Sequence, residues 1–454
     1  MLQLCWPDGH LTGPALWGML RSLQQELRKR GIKPGDLVAL HAPISPAYIC
    51  SLLALWDSGC ISLTLNPRQP ERVKNKALSA AGAVHLLGSK LTAHSLPLPT
   101  LTQARPLRQQ QWAPTPEQPI SLIQTSGSST QPRLAQHAWG QHAASARGSL
   151  AHIPLQSSDR WLLALPLYHV GGLAVVVRCL LAEATLLLPG PEQDLAAAIV
   201  QLKPSHLSLV ATQLQRLLNT SDAELLQALR ACKAILLGGS ALPRRLLQRA
   251  HGLGLNLHSS YGSTEMSSQI SSTRADASLE SLYTAGYVLP GRELQLQPDG
   301  EIWVRGETLF QGYRSPAGLE LPLQPGGWFA TRDRGEWDET GQLRILGRLD
   351  QMFISGGENI QPEEIEAALL QLDGVQQAVV VPVSEPEFGQ RPAAFVSAAD
   401  WQPAIWQEAL RQGLPGFKIP LFFRPLPAQQ GLKPARQKLM QAAQRYFDRD
   451  FKFL

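Results

Sequence analysis

Apolar residues recur along this chain in two alternating rhythms. Leu16, Leu20, Leu23 and Leu27 fall at helical spacing between residues 14 and 31, and Gly31 ends the run. The turn Lys33-Pro34-Gly35-Asp36 then leads into Leu37–Leu40, a short unbroken apolar stretch that predicts a buried strand. The alternation continues with a helix at Pro46–Ser58 closed by Gly59, a strand at Ile61–Leu65, a helix at Pro70–Ala81 and a strand at Val84–Leu87. Residues 89–119, rich in Pro, Gln, Leu and Thr and without periodicity, predict an irregular connection. Strands resume at Ile120–Gln124, Trp161–Pro166, Thr185–Leu188, His206–Val210, Ala234–Leu237 and Leu255–Ser259. Helices are expected between them at His137–Leu150, Leu173–Leu181, Asp194–Gln201, Thr212–Asn219 and Arg244–His251. Strands separated by helices imply parallel sheets covered by helices, an α/β class.

From Gly286 the pattern changes to a β-meander, with strands at Glu293–Gln297, Glu301–Val304 and Gln342–Leu346 and turns at Pro298-Asp299-Gly300 and Glu339-Thr340-Gly341. The next twenty residues change character repeatedly. A charged turn, Gly347-Arg348-Leu349-Asp350, gives way to apolar Met352–Ile354 and the pair Gly356-Gly357. Gln361-Pro362-Glu363-Glu364 then starts a helix, with proline in the first turn and carboxylates at the positive helix end. This stretch reads either as a surface hairpin before a helix or as a hinge. Beyond it, helices at Pro362–Leu370 and Pro403–Gln412, strands at Val375–Pro382, Ala393–Ser397 and Leu421–Leu426, and a final helix make a small α+β unit. The expected organisation is a large N-terminal domain of helix-covered sheets plus a β-rich subdomain, residues 1–349, and a small mobile C-terminal domain, residues 350–454, hinged at Asp350.

Composition narrows this picture. A chain of 454 residues is too long for one ordinary core, and 44% hydrophobic with 17% charged residues suits a globular protein with large interiors. The net charge of +5 is modest, and no Lys/Arg block exists to bind nucleic acid. Five scattered cysteines without a CxxC pair argue for a reducing compartment and against a disulfide framework or zinc site. The N-terminal residues lack a cationic start before an apolar run, and the longest apolar stretches are of strand length, so neither a signal peptide nor a membrane span is expected. A cytoplasmic enzyme is the default, and association into a homo-oligomer is left open.

Candidate chemistry lies at strand ends. Thr125-Ser126-Gly127-Ser128-Ser129-Thr130-Gln131-Pro132-Arg133 follows a strand and reads as a phosphate-cradling loop or as a solvent loop; it lacks P-loop spacing. His169, before Gly171-Gly172, sits where α/β sheets meet ligands, yet such a histidine also serves structure. Gly238-Gly239-Ser240 follows another strand. In Ser260-Tyr261-Gly262-Ser263-Thr264-Glu265, Tyr261 offers a face to a planar base and Glu265 a hard oxygen to Mg²⁺, or both belong to an ordinary turn.

Taken in order with Thr331-Arg332-Asp333, Gly347-Arg348-Leu349-Asp350 and Gly431-Leu432-Lys433, these segments resemble the adenylate-forming superfamily of acyl-CoA ligases, adenylation domains and luciferases, from about residue 15 to 445. Within it, Phe353–Glu366, Leu207–Leu214 and Leu432–Gln437 are most similar to the o-succinylbenzoate–CoA ligases of menaquinone biosynthesis. The resemblance implies an ATP- and Mg²⁺-dependent ligase that adenylates an aromatic carboxylic acid and passes the acyl group to coenzyme A. It assigns the β- and γ-phosphates to Thr125, Ser126, Gly127, Ser128 and Ser129, Mg²⁺ to Glu265, and the adenine to Tyr261 with Gly238, Gly239 and Ser240; Gly262 and Thr264 join the cofactor-binding set. The ribose falls to Asp333 with Arg348, the acyl side to His169, and the reacting phosphate and carboxylate to Lys433. Asp350 takes the hinge position, and Gly357 lines the channel for the thiol. Other aryl- or acyl-CoA ligases, a stand-alone adenylation enzyme and a non-catalytic nucleotide-binding relative are the rival readings. The chain departs from the family pattern where Thr130 replaces a glycine, Arg133 a lysine and Arg332 the glycine of Thr-Gly-Asp.

Overall fold

The computed structural model describes residues 1–83, 85–89, 95–98, 112, 114–125, 133–220, 222–427 and 436–450. Val84, most of 89–119, residues 126–132 and the segment that contains Lys433 lie outside the described residues. The chain forms two compact units. One comprises Met1–Gly239, Ala250–Leu294 and Val304–Phe329; the other comprises Ser240–Arg249, Gln295–Trp303 and Ala330–Leu454.

The first unit holds a nine-stranded and an eight-stranded sheet. In the nine-stranded sheet, Gln3–Trp6, Thr185–Leu187, Arg160–Leu162, His206–Leu209, Ala234–Leu237 and Leu257–Ser263 run parallel. Antiparallel strands flank them: Gly9–Leu11 at one edge and Ser268–Ser272 with Tyr287–Val288 at the other. The eight-stranded sheet has a parallel set around Leu37–His41 and Ile61–Thr64 and an antiparallel set of Leu134–Ala138, Gly312–Ser315 and Gly318–Glu320. Alternation explains its two buried faces: Val38 and Leu40 enter one apolar cluster, Leu37 and Ala39 another. The first of these clusters takes residues from both sheets and from helices that are apolar all round, such as Pro46–Asp57, buried from Tyr48 to Asp57. That helix starts where the Ser45 hydroxyl accepts from the Tyr48 N–H at 3.2 Å, with proline in its first turn.

A four-stranded sheet of Arg292–Leu296, Glu301–Gly306, Phe329–Trp337 and Leu343–Arg348 supplies the β-rich part. In the second unit, Val375–Glu385 pairs antiparallel with Gly389–Ala398, which pairs parallel with Phe423–Pro425. Period-two alternation again builds two layers. Val380 and Val396 pack with the helices Pro362–Leu369 and Pro403–Gly413, whereas Val379, Val381 and Val383 pack with the helix Arg436–Asp450.

Several elements depart from the sequence reading. The helix expected from His137 begins at Trp139, because Leu134–Ala138 is a fully buried strand. The strand expected to stop at Ser259 runs on to Ser263 and turns back as Ser268–Ser272, so Tyr261 and Gly262 lie on a hairpin. A side chain at Gly262 would strike the Ser268 carbonyl across that hairpin. Ala223–Arg230, capped by Asp222, and the hairpin of Gln3–Trp6 with Gly9–Leu11 had no counterpart in the reading. Gly356-Gly357, with φ of 57° and 88°, turns the short hairpin Phe353–Ser355/Glu358–Ile360.

Candidate functional site

Parallel strands point their carboxyl ends to one edge, and the first unit collects there much of what the sequence singled out. Leu167 follows Arg160–Leu162, and its carbonyl accepts the Thr64 hydroxyl at 2.9 Å. His169 immediately precedes the helix Val170–Leu181, with the Tyr168 and His169 ring centres 4.7 Å apart. Val210 and Gln213 follow His206–Leu209; the Gln213 amide accepts from the Val210 N–H at 3.0 Å and donates to the Ala164 carbonyl at 3.0 Å. Gly238 and Gly239 follow Ala234–Leu237, and the Gly238 N–H donates to the Leu209 carbonyl at 3.3 Å. A Cβ at Gly238 would crowd the Ser260 hydroxyl, which donates to the Leu237 carbonyl. Gly239 has a φ of 84°. Tyr261, Gly262, Thr264 and Glu265 lie on and beyond Leu257–Ser263.

Glu265 is half-buried, and its Oε1 accepts the Tyr313 hydroxyl at 2.7 Å. Its Oε2 has no hydrogen-bond partner among the described residues. Thr125 is buried at the mouth of the small-residue loop; its N–H donates to the Arg133 carbonyl at 2.9 Å, closing the loop's two ends upon each other. Ser126, Gly127, Ser128 and Ser129 lie outside the described residues, as does Lys433.

The second unit brings Asp333, Arg348 and Asp350 together. Strands Phe329–Trp337 and Leu343–Arg348 pair with Asp333 opposite Arg348. The Arg348 guanidinium donates to Asp333 Oδ1 at 2.9 Å and, bidentately, to Asp350 at 2.8 and 2.9 Å. The neighbouring Arg332 has a φ of 65°, in the left-handed region. Its N–H donates to Glu301 Oε1 at 3.1 Å, while the Thr331 hydroxyl accepts the Asp333 N–H and donates to the Ile302 carbonyl. Ser240 belongs to this unit and is exposed. A Cβ at Gly357 would meet nothing within 4 Å, whereas the Gly356 N–H donates to the Phe388 carbonyl.

Three contributors escaped the sequence reading. Tyr313 was only an aromatic in a meander, with its carboxylate partner 48 residues upstream. Arg436 begins the helix that follows the Lys433 segment, and its guanidinium donates to both Glu366 oxygens at 2.7 and 2.9 Å and to the Val380 carbonyl. Burial raises the Glu366 carboxyl, with Arg436 opposing. Arg178 is fully buried in an apolar helix, over the Trp161 ring, and among the described residues its guanidinium donates to Gln269 alone, at 2.6 Å. Its Nε lacks a partner among the described residues, whereas buried Arg292 donates to Gln269, Pro290 and Ser145. A charged residue inside an otherwise apolar run, Val175–Cys179, was the available signal.

A parallel sheet with a carboxylate, glycines and an aromatic toward its carboxyl edge has them where α/β enzymes meet their ligands. The chain belongs to the AMP-binding enzymes: that family's model matches residues 3–314, and the model of the AMP-binding enzyme C-terminal domain matches residues 364–428. It is 37% identical over 451 residues to the 2-succinylbenzoate–CoA ligase of Salmonella typhimurium, covering 96% of this chain and 93% of that one. Among solved structures, it matches the o-succinylbenzoate CoA synthetase (MenE) of Bacillus subtilis in complex with the acyl-adenylate intermediate OSB-AMP, at 26% identity and a TM-score of 0.84, over 96% of this chain and 94% of that one. The same enzyme in complex with ATP and magnesium ion matches at 26% identity and a TM-score of 0.83, with 96% of each chain covered.

Proposed function

We propose that this chain is an ATP-dependent acid–thiol ligase that joins 2-succinylbenzoate to coenzyme A, giving 2-succinylbenzoyl-CoA, AMP and pyrophosphate, a reaction of menaquinone biosynthesis. The observation that carries this reading is the end-to-end identity of 37% with a 2-succinylbenzoate–CoA ligase. A carboxylate cannot acylate a thiol directly, because its oxygen leaves poorly. In the first half-reaction the carboxylate oxygen attacks the α-phosphorus of ATP, and pyrophosphate leaves with the electrons of the broken P–O bond. In the second, the coenzyme A sulfur attacks the acyl carbon and AMP leaves.

The first half-reaction gathers negative charge, so it needs cations and oriented donors. Thr125 and Ser126 to Ser129 cradle the outer phosphates, Lys433 bridges the α-phosphate and the carboxylate, and Asp333 takes the ribose hydroxyls beside Arg348. Tyr261, with Gly238 to Ser240, walls the adenine, and His169 lines the acyl side. Mg²⁺ fits Glu265: one carboxylate oxygen is held by Tyr313 and the other has no hydrogen-bond partner among the described residues. Bound there, the ion offsets phosphate charge. The acid's second carboxylate calls for a buried cation, and Arg178, whose Nε has no hydrogen-bond partner among the described residues, supplies one. The small domain pivots at Asp350, presenting Lys433 for adenylation and the Gly357 turn for thioester formation.

No helix among the described residues is long and apolar enough to cross a membrane. Five free cysteines, four of them buried, and the use of ATP and coenzyme A support a cytoplasmic enzyme. The test supplies 2-succinylbenzoate, ATP, Mg²⁺ and coenzyme A, and follows thioester and pyrophosphate together, beside benzoate, phthalate and 2-methylbenzoate. One thioester and one pyrophosphate per acid consumed is expected, with 2-succinylbenzoate preferred by kcat/KM. A higher kcat/KM on any acid lacking the succinyl chain overturns the substrate assignment.

A further inference from the structure

The turn that carries Glu265 is held on several sides. His137, fully buried, donates from Nε2 to the Thr264 carbonyl at 2.7 Å. Burial pushes its imidazole down to about 4, so the ring is neutral near pH 7 and this bond fixes its tautomer. The Phe310 N–H donates to the Glu265 carbonyl at 2.8 Å. The Ser145 hydroxyl donates to the Ser267 carbonyl at 2.7 Å, and the Ser267 hydroxyl to the Thr308 carbonyl at 2.9 Å. All of these bonds act on the backbone or beside it.

Among the described residues, one hydrogen bond reaches the carboxylate itself, from the Tyr313 hydroxyl to Oε1. Tyr313 is buried in the strand Gly312–Ser315, which pairs with Leu134–Ala138 so that Tyr313 lies opposite Ala135. The Arg133 guanidinium lies over the Tyr313 ring, 4.0 Å from its centroid. One phenol therefore touches both the residue that closes the small-residue loop and the carboxylate across from it.

We propose that Tyr313 is a positioning residue for Glu265, and that Arg133, stacked on its ring, ties the phosphate loop to the metal-holding carboxylate. The phenol O–H occupies Oε1 and directs Oε2 to the cation. A cation over the ring draws electron density from the phenol and makes its O–H a stronger donor. This gives a physical reason for arginine where the family pattern has lysine: a planar guanidinium stacks on an aromatic face, and a compact, strongly hydrated ammonium does so less well. The inference rests on the reading of Glu265 as the Mg²⁺ residue.

The experiment titrates Mn²⁺, followed by electron paramagnetic resonance, into the full chain with α,β-methylene-ATP, for wild type, Tyr313→Phe, Arg133→Lys and Glu265→Gln. Tyr313→Phe keeps the ring and removes only the donor. Loss of one hydrogen bond to a charged group predicts an Mn²⁺ dissociation constant raised about tenfold. The Mg²⁺ half-saturation of pyrophosphate release rises in parallel, with KM for the acid unchanged within about twofold. Arg133→Lys falls between wild type and Tyr313→Phe, and Glu265→Gln is weaker than both. Wild-type Mn²⁺ affinity in Tyr313→Phe, with Glu265→Gln impaired, overturns the positioning role and leaves the Glu265 reading standing. Unchanged affinity in Glu265→Gln overturns the Glu265 reading itself. Equal loss of metal affinity and of acid KM in Tyr313→Phe assigns the tyrosine to structure alone and also defeats the proposal.

Discussion

Arg332 occupies a backbone conformation that glycine adopts freely and other residues do not, with a φ of 65° in the strand Phe329–Trp337. Comparing Arg332→Gly with Arg332→Ala isolates that cost. Both variants remove the same side chain, which is 63% exposed and lies 3.9 Å from Glu301, a separation that contributes little in water. Both keep the N–H that donates to Glu301 Oε1. What differs is the left-handed conformation, which costs a residue with a Cβ about 1–2 kcal/mol. Against it stands the extra freedom of glycine in the unfolded chain, about 0.4–1 kcal/mol. Glycine is therefore expected to be the more stable variant by roughly 0.5–1 kcal/mol. At an ordinary strand position the order reverses, with glycine weaker than alanine by roughly the same amount. The assay is guanidinium unfolding followed by tryptophan fluorescence, with equal slopes required of the two variants. An alanine variant as stable as the glycine variant, or more so, refutes the reasoning. Because the Thr331 hydroxyl holds the Asp333 N–H independently of residue 332, the KM for ATP is expected to stay within about twofold in Arg332→Gly.

Lys433→Ala is expected to abolish acyl-adenylate formation while leaving thioester formation from supplied acyl-adenylate largely intact; equal loss of both, by rapid-quench product analysis, removes the role given to Lys433. Asp350→Pro is expected to retain adenylation, read as pyrophosphate release in a single turnover, and to stall overall thioester turnover; unchanged turnover refutes the hinge. Stability is expected to fall as the pH drops below about 6.5. Burial lowers His41, His137, His142, His152, His206 and His258, so these rings stay neutral in the folded chain where the unfolded chain takes up protons. Their contribution is present above the unfolded value and is lost as the pH falls toward each folded value, about 4 for His137. His137 alone accounts for about 3 kcal/mol across that window. A midpoint of denaturation that is flat from pH 7 to pH 5 rejects this account.

Where apolar alternation was strong, local pattern sufficed. Val38 and Leu40 against Leu37 and Ala39, or Val380 against Val379 and Val381, are set by the period of the strand and need no knowledge of partners. The ordered motifs likewise placed Glu265 beyond a strand and His169 between a strand and a helix, whereas Tyr261, expected past the strand's end, lies within Leu257–Ser263. The segment Leu134–Ala138 was misread because two of its inward residues, Gln136 and His137, are polar, and polarity at an inward position looks like a helix boundary or a loop.

Distant segments hold those residues in place: Gln311 accepts from Gln136, and the Thr264 carbonyl accepts from His137 Nε2. The same distance hides Tyr313, whose hydroxyl is satisfied only once the strand Gly312–Ser315 lies beside Leu134–Ala138. A buried polar group without a partner costs about 1–3 kcal/mol, so a chain keeps several in one place only where they hold one another in a fixed arrangement. Here they surround the turn of Glu265. The stretch where local reasoning failed is thus continuous with the stretch where the carboxylate must be aimed, because both depend on polar contacts between segments far apart in sequence.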